Sequence, residues 1–223
     1  MNRPCRFVLA CTLAASVLSL SGCALPLAVT GAAMGTMVAL DRRTVGAQAE
    51  DESIEIKAAS LLRNTPAFPG GVSVTSYNRK VLLTGQVPDE ASKRRAEQVV
   101  STVENVRSIH NELQVSGRVS LTTTSSDALV TTKVKAAFVD ARDVQANTIK
   151  VLTENGVVYL MGLVSQREAE RAAQVASRVG GVQRVVTVFD VVSEEELQRI
   201  RRVQQAGARD RSPGTTPSAG GLQ

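Results

Sequence analysis

The strongest constraint on this chain is that it contains itself twice. Laying residues 74–87 over residues 151–164, an offset of 77, superimposes Val74 on Val151, Asn78 on Asn155, Val81 on Val158, Leu83 on Leu160, Gly85 on Gly162 and Val87 on Val164. One residue drops out, and at an offset of 76 Arg95, Ala96, Gln98, Val99, Ser101, Val103 and Val106 fall on Arg171, Ala172, Gln174, Val175, Ser177, Val179 and Val182. A period this long exceeds a solenoid unit and predicts two copies of one small domain.

Both copies read alike. Each opens on a helical apolar stripe at i, i+4, i+7, i+8: Ile54, Ala58, Leu61 and Leu62, then Val130, Val134, Ala137 and Phe138. Asp127 is positioned to cap the second of these helices, and Pro66 bars the first from continuing. Two strands follow. In the first copy they turn at Tyr77–Lys80; in the second they turn at Glu154-Asn155-Gly156, where Asn-Gly is a hairpin signal. Gly85 and Gly162 sit inside strands, which predicts a bulge or a close backbone approach. A second amphipathic helix comes next, with Ala96, Val99, Val100 and Val103 or Ala172, Val175, Ala176 and Val179 as its apolar stripe. A last strand, Ile109–Val115 or Val185–Val192, closes each copy. The fold expected is α+β: two tandem small domains, each α-β-β-α-β, with two helices packed on one face of a three-stranded mixed sheet. The crossover through the second helix should be right-handed, which makes the last strand parallel to its partner. A domain of about 65 residues buries only about 60% of its chain surface, so the copies are expected to support each other by packing together.

The N-terminal segment predicts a membrane anchor. Arg3 and Arg6 precede an apolar run from Val8 to Leu20 that is too short to span a bilayer, and Leu20-Ser21-Gly22-Cys23 ends it. This resembles a bacterial lipoprotein signal, with cleavage before Cys23 and acylation of that residue. Ala24 rather than aspartate follows, which by the same resemblance directs the protein to the outer membrane, facing the periplasm. Several acyl chains hold a protein on a membrane where one chain is marginal. Residues 1–22 are thus read as signal peptide and 23–51 as a small-residue, Gly-rich lipidated tether. Residues 194–223 are read as a polar helix, acids first and bases last, followed by a disordered tail from Gly207 onward.

Composition removes most enzyme classes. Of the three cysteines, Cys5 and Cys11 lie in the signal and Cys23 carries lipid, so no catalytic thiol and no thiolate metal site is left. His110 is the single histidine and has no second histidine for a triad or a zinc site. Tryptophan is absent and aromatics are 3%, poor material for stacking bases or sugars. The net charge of +5 includes Arg3 and Arg6 of the signal. That mild excess suits weak attraction to an anionic lipid surface and gives no ground for nucleic acid as a partner. Asp89 with Glu90, or Glu168 with Glu170, could be offered as a glycosidase pair, but each reads as an ordinary first-turn helix acid. No cofactor and no metal is expected.

The duplicated pattern resembles the BON domain. The residues that carry the likeness are Gly85 and Gly162 in the second strands and the Val-rich helix leading to Gly180-Gly181-Val182. Asp41-Arg42-Arg43-Thr44-Val45-Gly46, Thr131-Thr132-Lys133-Val134, Thr153-Glu154-Asn155-Gly156 and Leu160-Met161-Gly162-Leu163-Val164 strengthen it. From the signal to Val192 the chain is similar to the dual-BON-domain outer-membrane lipoproteins of proteobacteria, with the domains at 52–117 and 126–193; the tail departs from that pattern. The resemblance implies a non-enzymatic protein that binds phospholipid and supports outer-membrane integrity. It implies the outer-membrane protein assembly machinery as a further partner, or, in an alternative reading, as the main one, with the protein acting as an adaptor that has no specific lipid recognition.

One difference between the copies bears on lipid. Leu129 replaces Ser53, beside rather than inside the apolar stripe, with Lys133 and Lys135 nearby. An apolar side chain next to lysines suits insertion into an anionic lipid surface; the other reading has Leu129 pack against the neighbouring domain. The resemblance implies a larger aromatic here, and leucine lacks the interfacial preference of tryptophan.

Overall fold

The computed structural model describes residues 41–65, 71–116 and 124–210. The signal, Cys23 and the tether up to residue 40 lie outside the described residues, as does the tail beyond residue 210.

Helix α1 (Val45–Arg63) starts where Thr44 Oγ1 accepts the Ala47 amide at 3.1 Å, which satisfies one of the free N–H groups of the first turn. The helix therefore begins inside the segment read as tether. Its buried stripe is Ile54, Ala58 and Leu62; Leu61, grouped with them on spacing, is turned outward instead. Strands β1 (Val72–Tyr77) and β2 (Lys80–Val87) pair antiparallel through a two-residue turn, with Asn78 and Arg79 both at positive φ. Asp89 caps α2 (Glu90–Ser101) by accepting the Ser92 amide at 2.7 Å. The strand that returns parallel to β2 comes in two pieces, β3 (Ser108–Asn111) and β4 (Gln114–Val115).

The second copy repeats the plan. Helix α3 (Thr124–Asp140) leads to the hairpin of β5 (Ile149–Glu154) and β6 (Val157–Val164). Ser165 and Glu168 form a capping box at the start of α4 (Gln166–Ser177). Strand β7 (Arg184–Val191) then pairs parallel to β6 along its whole length. Both carboxylate pairs weighed above for hydrolysis thus hold a residue spent on capping a helix.

The two glycines at equivalent positions do different things. Gly85 stands at φ +114°, and a Cβ on it would lie 1.9 Å from the Gly71 carbonyl oxygen. The ladder to the last strand lapses beside it, between β3 and β4, which is why the single strand expected over Ile109–Val115 is broken. Gly162 has no positive φ; a Cβ there would meet the Thr148 carbonyl oxygen at 2.8 Å, and the β6–β7 ladder runs through it unbroken, Gly162 opposite Phe189.

The core lies in three layers of side chains. Ile54, Ala58, Leu62, Val81, Leu83, Ala96 and Val100 fill the space between α1, α2 and their sheet. Val130, Val134, Phe138, Val158, Leu160, Ala172 and Ala176 do the same for the second copy. The third layer belongs to both domains: Tyr77 and Leu82 pack with Val157, Tyr159, Met161 and Val188. The two sheets therefore pack face to face with their helices outward, and β2 and β6 are covered on both faces, which accounts for their nearly continuous burial.

A polar junction closes the edge of this sandwich. The Asp190 carboxylate receives hydrogen bonds from Asn78 Nδ2 at 2.6 Å and from the Arg107 guanidinium, and it lies 2.9 Å from Lys80 Nζ. Burial pushes the Asp190 carboxyl up, but these three donors outweigh it and hold the group below its ordinary value.

His110 lies opposite Leu82 in the β2–β3 ladder and is half-buried, with Lys80 and Glu112 as its charged neighbours. Burial first, then Lys80, lowers its pKa. The folded protein thus favours neutral His110, while the unfolded chain takes up a proton near pH 6.5. Stability should decline as pH falls below that value, and His110→Gln should flatten the decline in melting temperature between about pH 7.5 and 5.5. Parallel slopes for the two proteins would remove His110 as the cause.

Candidate lipid-facing surface

Helix α3 is pinned to its domain by an aspartate that does not cap it. Asp127 lies inside the helix, and its carboxylate accepts the backbone amides of Asn155 at 2.8 Å and Gly156 at 2.9 Å. The N-cap role read for Asp127 is therefore replaced by a clamp on the β5–β6 turn. Those two amides sit at positive φ and point toward the helix, where a buried carboxylate satisfies them both. The first copy carries the same device: Asp51 in α1 accepts Asn78 N and Arg79 N, each at 2.7 Å, and also Ser76 Oγ at 2.7 Å and Arg43 Nη1 at 2.6 Å. Asp51 and Asp127 are 76 residues apart, the offset of the repeat, and that coincidence was the available signal for the clamp.

With Val130, Val134 and Phe138 turned into the core, the opposite face of α3 is open. Leu129 is 63% exposed and Val139 is 70% exposed. Ala128, Thr132 and Ala136, all exposed, lie between them on the same outward face. Lys133 and Lys135, two residues apart, project on opposite flanks of this stripe, and both are exposed. The loop after α4 packs tightly beneath: a Cβ on Gly181 would lie 2.8 Å from Val130 Cγ2. The structure thus brings Leu129, Lys133 and Lys135 together on one helix face and turns Leu129 to solvent, away from the other domain. It adds Val139, which the sequence reading did not include.

The Asp41–Gly46 stretch carries the family likeness, but nothing in the sequence pointed to a partner for Arg42. Its guanidinium is buried and reaches the second domain, with Nη2 2.7 Å from Glu168 Oε1, Nη1 2.8 Å from Glu168 Oε2 and Nη1 2.6 Å from the Leu163 carbonyl oxygen. Burial pushes the Glu168 carboxyl up, but Arg42 and the Ser165 amide hold it below its usual range. Neighbouring Arg43 lies over the Tyr77 ring, 4.0 Å from its centroid.

Among the described residues no cluster of histidine, cysteine and carboxylate side chains could hold a metal, and no helix is long and apolar enough to cross a membrane. Two duplicated domains in a face-to-face sandwich, whose most distinctive surface is an exposed apolar helix stripe between lysines, define a tandem α+β module. The chain belongs to the BON domain family, whose model matches residues 50–117 and 126–193. It is 41% identical over 173 residues to outer membrane lipoprotein DolP of Haemophilus influenzae, an alignment covering 76% of this chain and 89% of that protein. It is also 34% identical over 155 residues to the 21 kDa hemolysin of Actinobacillus pleuropneumoniae (69% and 80% covered). To the osmotically-inducible protein Y of Escherichia coli it is 31% identical over 160 residues (70% and 80% covered).

Proposed function

We propose that this protein is a non-enzymatic lipoprotein of the outer membrane, anchored through Cys23 and facing the periplasm, that binds anionic phospholipid through the outer face of α3 and supports envelope integrity. The observation that carries the lipid reading is the stripe from Leu129 to Val139 with lysines on both flanks. Apolar side chains of this size gain about 1.5–3 kcal/mol on leaving water, and each lysine near an anionic surface adds about 1 kcal/mol. The similarity to DolP, an outer membrane lipoprotein by name, supports the location, as does the lipoprotein-like signal ending at Cys23. A partner in the outer-membrane protein assembly machinery belongs to the same proposal and would use the surfaces that α3 leaves free.

The test is co-sedimentation of a soluble form starting at Ala24 with anionic and with zwitterionic vesicles, at low and moderate salt. Selective binding to anionic vesicles is expected, weakening as salt rises. Leu129→Asp should lower vesicle affinity about tenfold or more, since it removes apolar burial and adds a repelled charge, while the melting temperature stays within about 2 °C because the side chain points to solvent. Unchanged affinity in this variant would remove α3 as the lipid surface. No binding to either vesicle would favour the adaptor reading instead.

A further inference from the structure

In the chain, residues Asp41–Thr44 stand between the expected anchor at Cys23 and α1 of the first domain, yet Arg42 bonds to the second domain. Besides Leu163 and Glu168, it donates from Nη2 to Gln145 Oε1 at 2.9 Å. All three of these partners lie within the second BON match. The C-terminal helix α5 (Glu194–Asp210) lies beyond both BON matches and joins the same assembly. It continues through Gly207, where the sequence pattern predicts disorder. Its inner face is docked: Leu197 is 1% exposed, the Gln204 side-chain amide donates to the Asp41 carbonyl oxygen at 2.6 Å, and an Arg201 guanidinium nitrogen lies 3.8 Å from Glu168 Oε1. A cavity of about 260 Å³ is shared between Arg42, Arg43 and Thr44 on one wall and Arg199, Ile200, Val203 and Gln204 on the other.

We propose that α5 is a latch that holds the anchor-proximal segment on the second domain; the proposal rests on the anchored, lipid-binding reading above. An Arg–carboxylate pair open to water contributes little, because solvent screens the attraction. Shielded from water the attraction within the pair is stronger, and further hydrogen bonds to both partners offset the cost of desolvating them. Here Leu163 and Gln145 accept from the Arg42 guanidinium, and the Ser165 amide donates to the Glu168 carboxylate. By lying along residues 41–44, α5 helps keep Arg42–Glu168 in the shielded state. The consequence is mechanical. With the latch closed, the chain coming from the membrane is fixed directly to the domain that carries Leu129, Lys133 and Lys135. With it open, that domain is tied to the anchor only through α1 and the first domain.

The experiment is amide hydrogen exchange on the full chain in detergent micelles, comparing the wild type with Leu197→Asp and with a chain ending at Ser193. Undocking α5 should speed exchange over residues 43–48 at least tenfold while β6 keeps its protection. Arg201→Gln combined with Gln204→Ala, which leaves Leu197 in place, should give a smaller acceleration of the same residues. Unchanged exchange over 43–48 in Leu197→Asp would overturn the latch. Equal loss of protection in β6 would overturn it too, since α5 would then be part of the domain core rather than a closure upon it. Vesicle binding by the soluble form carrying Leu197→Asp is expected to match wild type, because α3 is untouched. A failure of the lipid reading therefore appears as absent vesicle binding in both proteins, and a failure of the latch appears in the exchange alone.

Discussion

Gly85→Ala should destabilise the first domain by on the order of 4 kcal/mol, a value at the severe end for a single substitution. Two terms act together. A residue with a side chain held at φ +114° bears backbone strain of about 1–3 kcal/mol. The new methyl group would also be built 1.9 Å from the Gly71 carbonyl oxygen, and backbone atoms on both sides must move apart to admit it. The same movement stretches the hydrogen bond from Gln86 N to that carbonyl, 2.9 Å in the native chain. With the two packed domains melting as one unit, thermal unfolding followed by circular dichroism should show a melting temperature lower by about 8–16 °C. Gly162→Ala is the internal control: without a positive φ, and with its Cβ 2.8 Å from the Thr148 carbonyl, it should cost clearly less. Equal losses for the two variants would mean that the backbone conformation at Gly85 does not matter, and that close approach alone explains both glycines.

Asp51→Ala should cost a comparable amount, about 3–5 kcal/mol, the range seen when one member of a buried charged network is removed. Four groups lose this acceptor at once: the amides of Asn78 and Arg79, the hydroxyl of Ser76 and the guanidinium of Arg43. The turn amides are held by their positive φ toward the site of the carboxylate, and among the described residues the protein offers them no substitute acceptor there. Asp127→Ala takes the acceptor from the amides of Asn155 and Gly156, both neutral donors with no guanidinium at stake, and should cost less. Urea denaturation of the two variants checks the order; a larger loss at Asp127 would overturn the account of the clamp as a matter of stranded donors.

Much of this architecture was legible in the residues. The offsets of 77 and 76, the helical stripes and the Asn155-Gly156 turn led to two α-β-β-α-β domains with the strand order and directions observed. These features are local: periodicity of 3.6 or 2 and turn chemistry act over a few residues, and a repeat is read by comparing the chain with itself. The errors fall where a residue's partner is distant. Asp127 looks like a cap because nothing nearby shows that a turn 28 residues later needs its oxygens. Leu61 fits the apolar stripe by spacing, yet it faces solvent. Arg42 lies in the Asp41–Gly46 stretch that carries the family likeness, and nothing near it in the chain points to Glu168, 126 residues away.

The candidate surface divides in the same way. Leu129, Lys133 and Lys135 could be marked because one copy of a repeat differs from the other at a known helix position, a comparison the sequence contains. Whether Leu129 meets solvent or the neighbouring domain depended on which faces of the two sheets pack together. Sequence by itself determined the duplicated fold, the order of its elements and the anchor-like segment, since each is written in short-range pattern. The tertiary structure alone decided the sandwich through Tyr77, Leu82, Tyr159 and Met161, the polar junction at Asp190 and the docking of α5. Those rest on burial and on pairing of charges across long separations, and the complete set of partners that offsets the loss of water around each charge exists only once the domains have closed on each other.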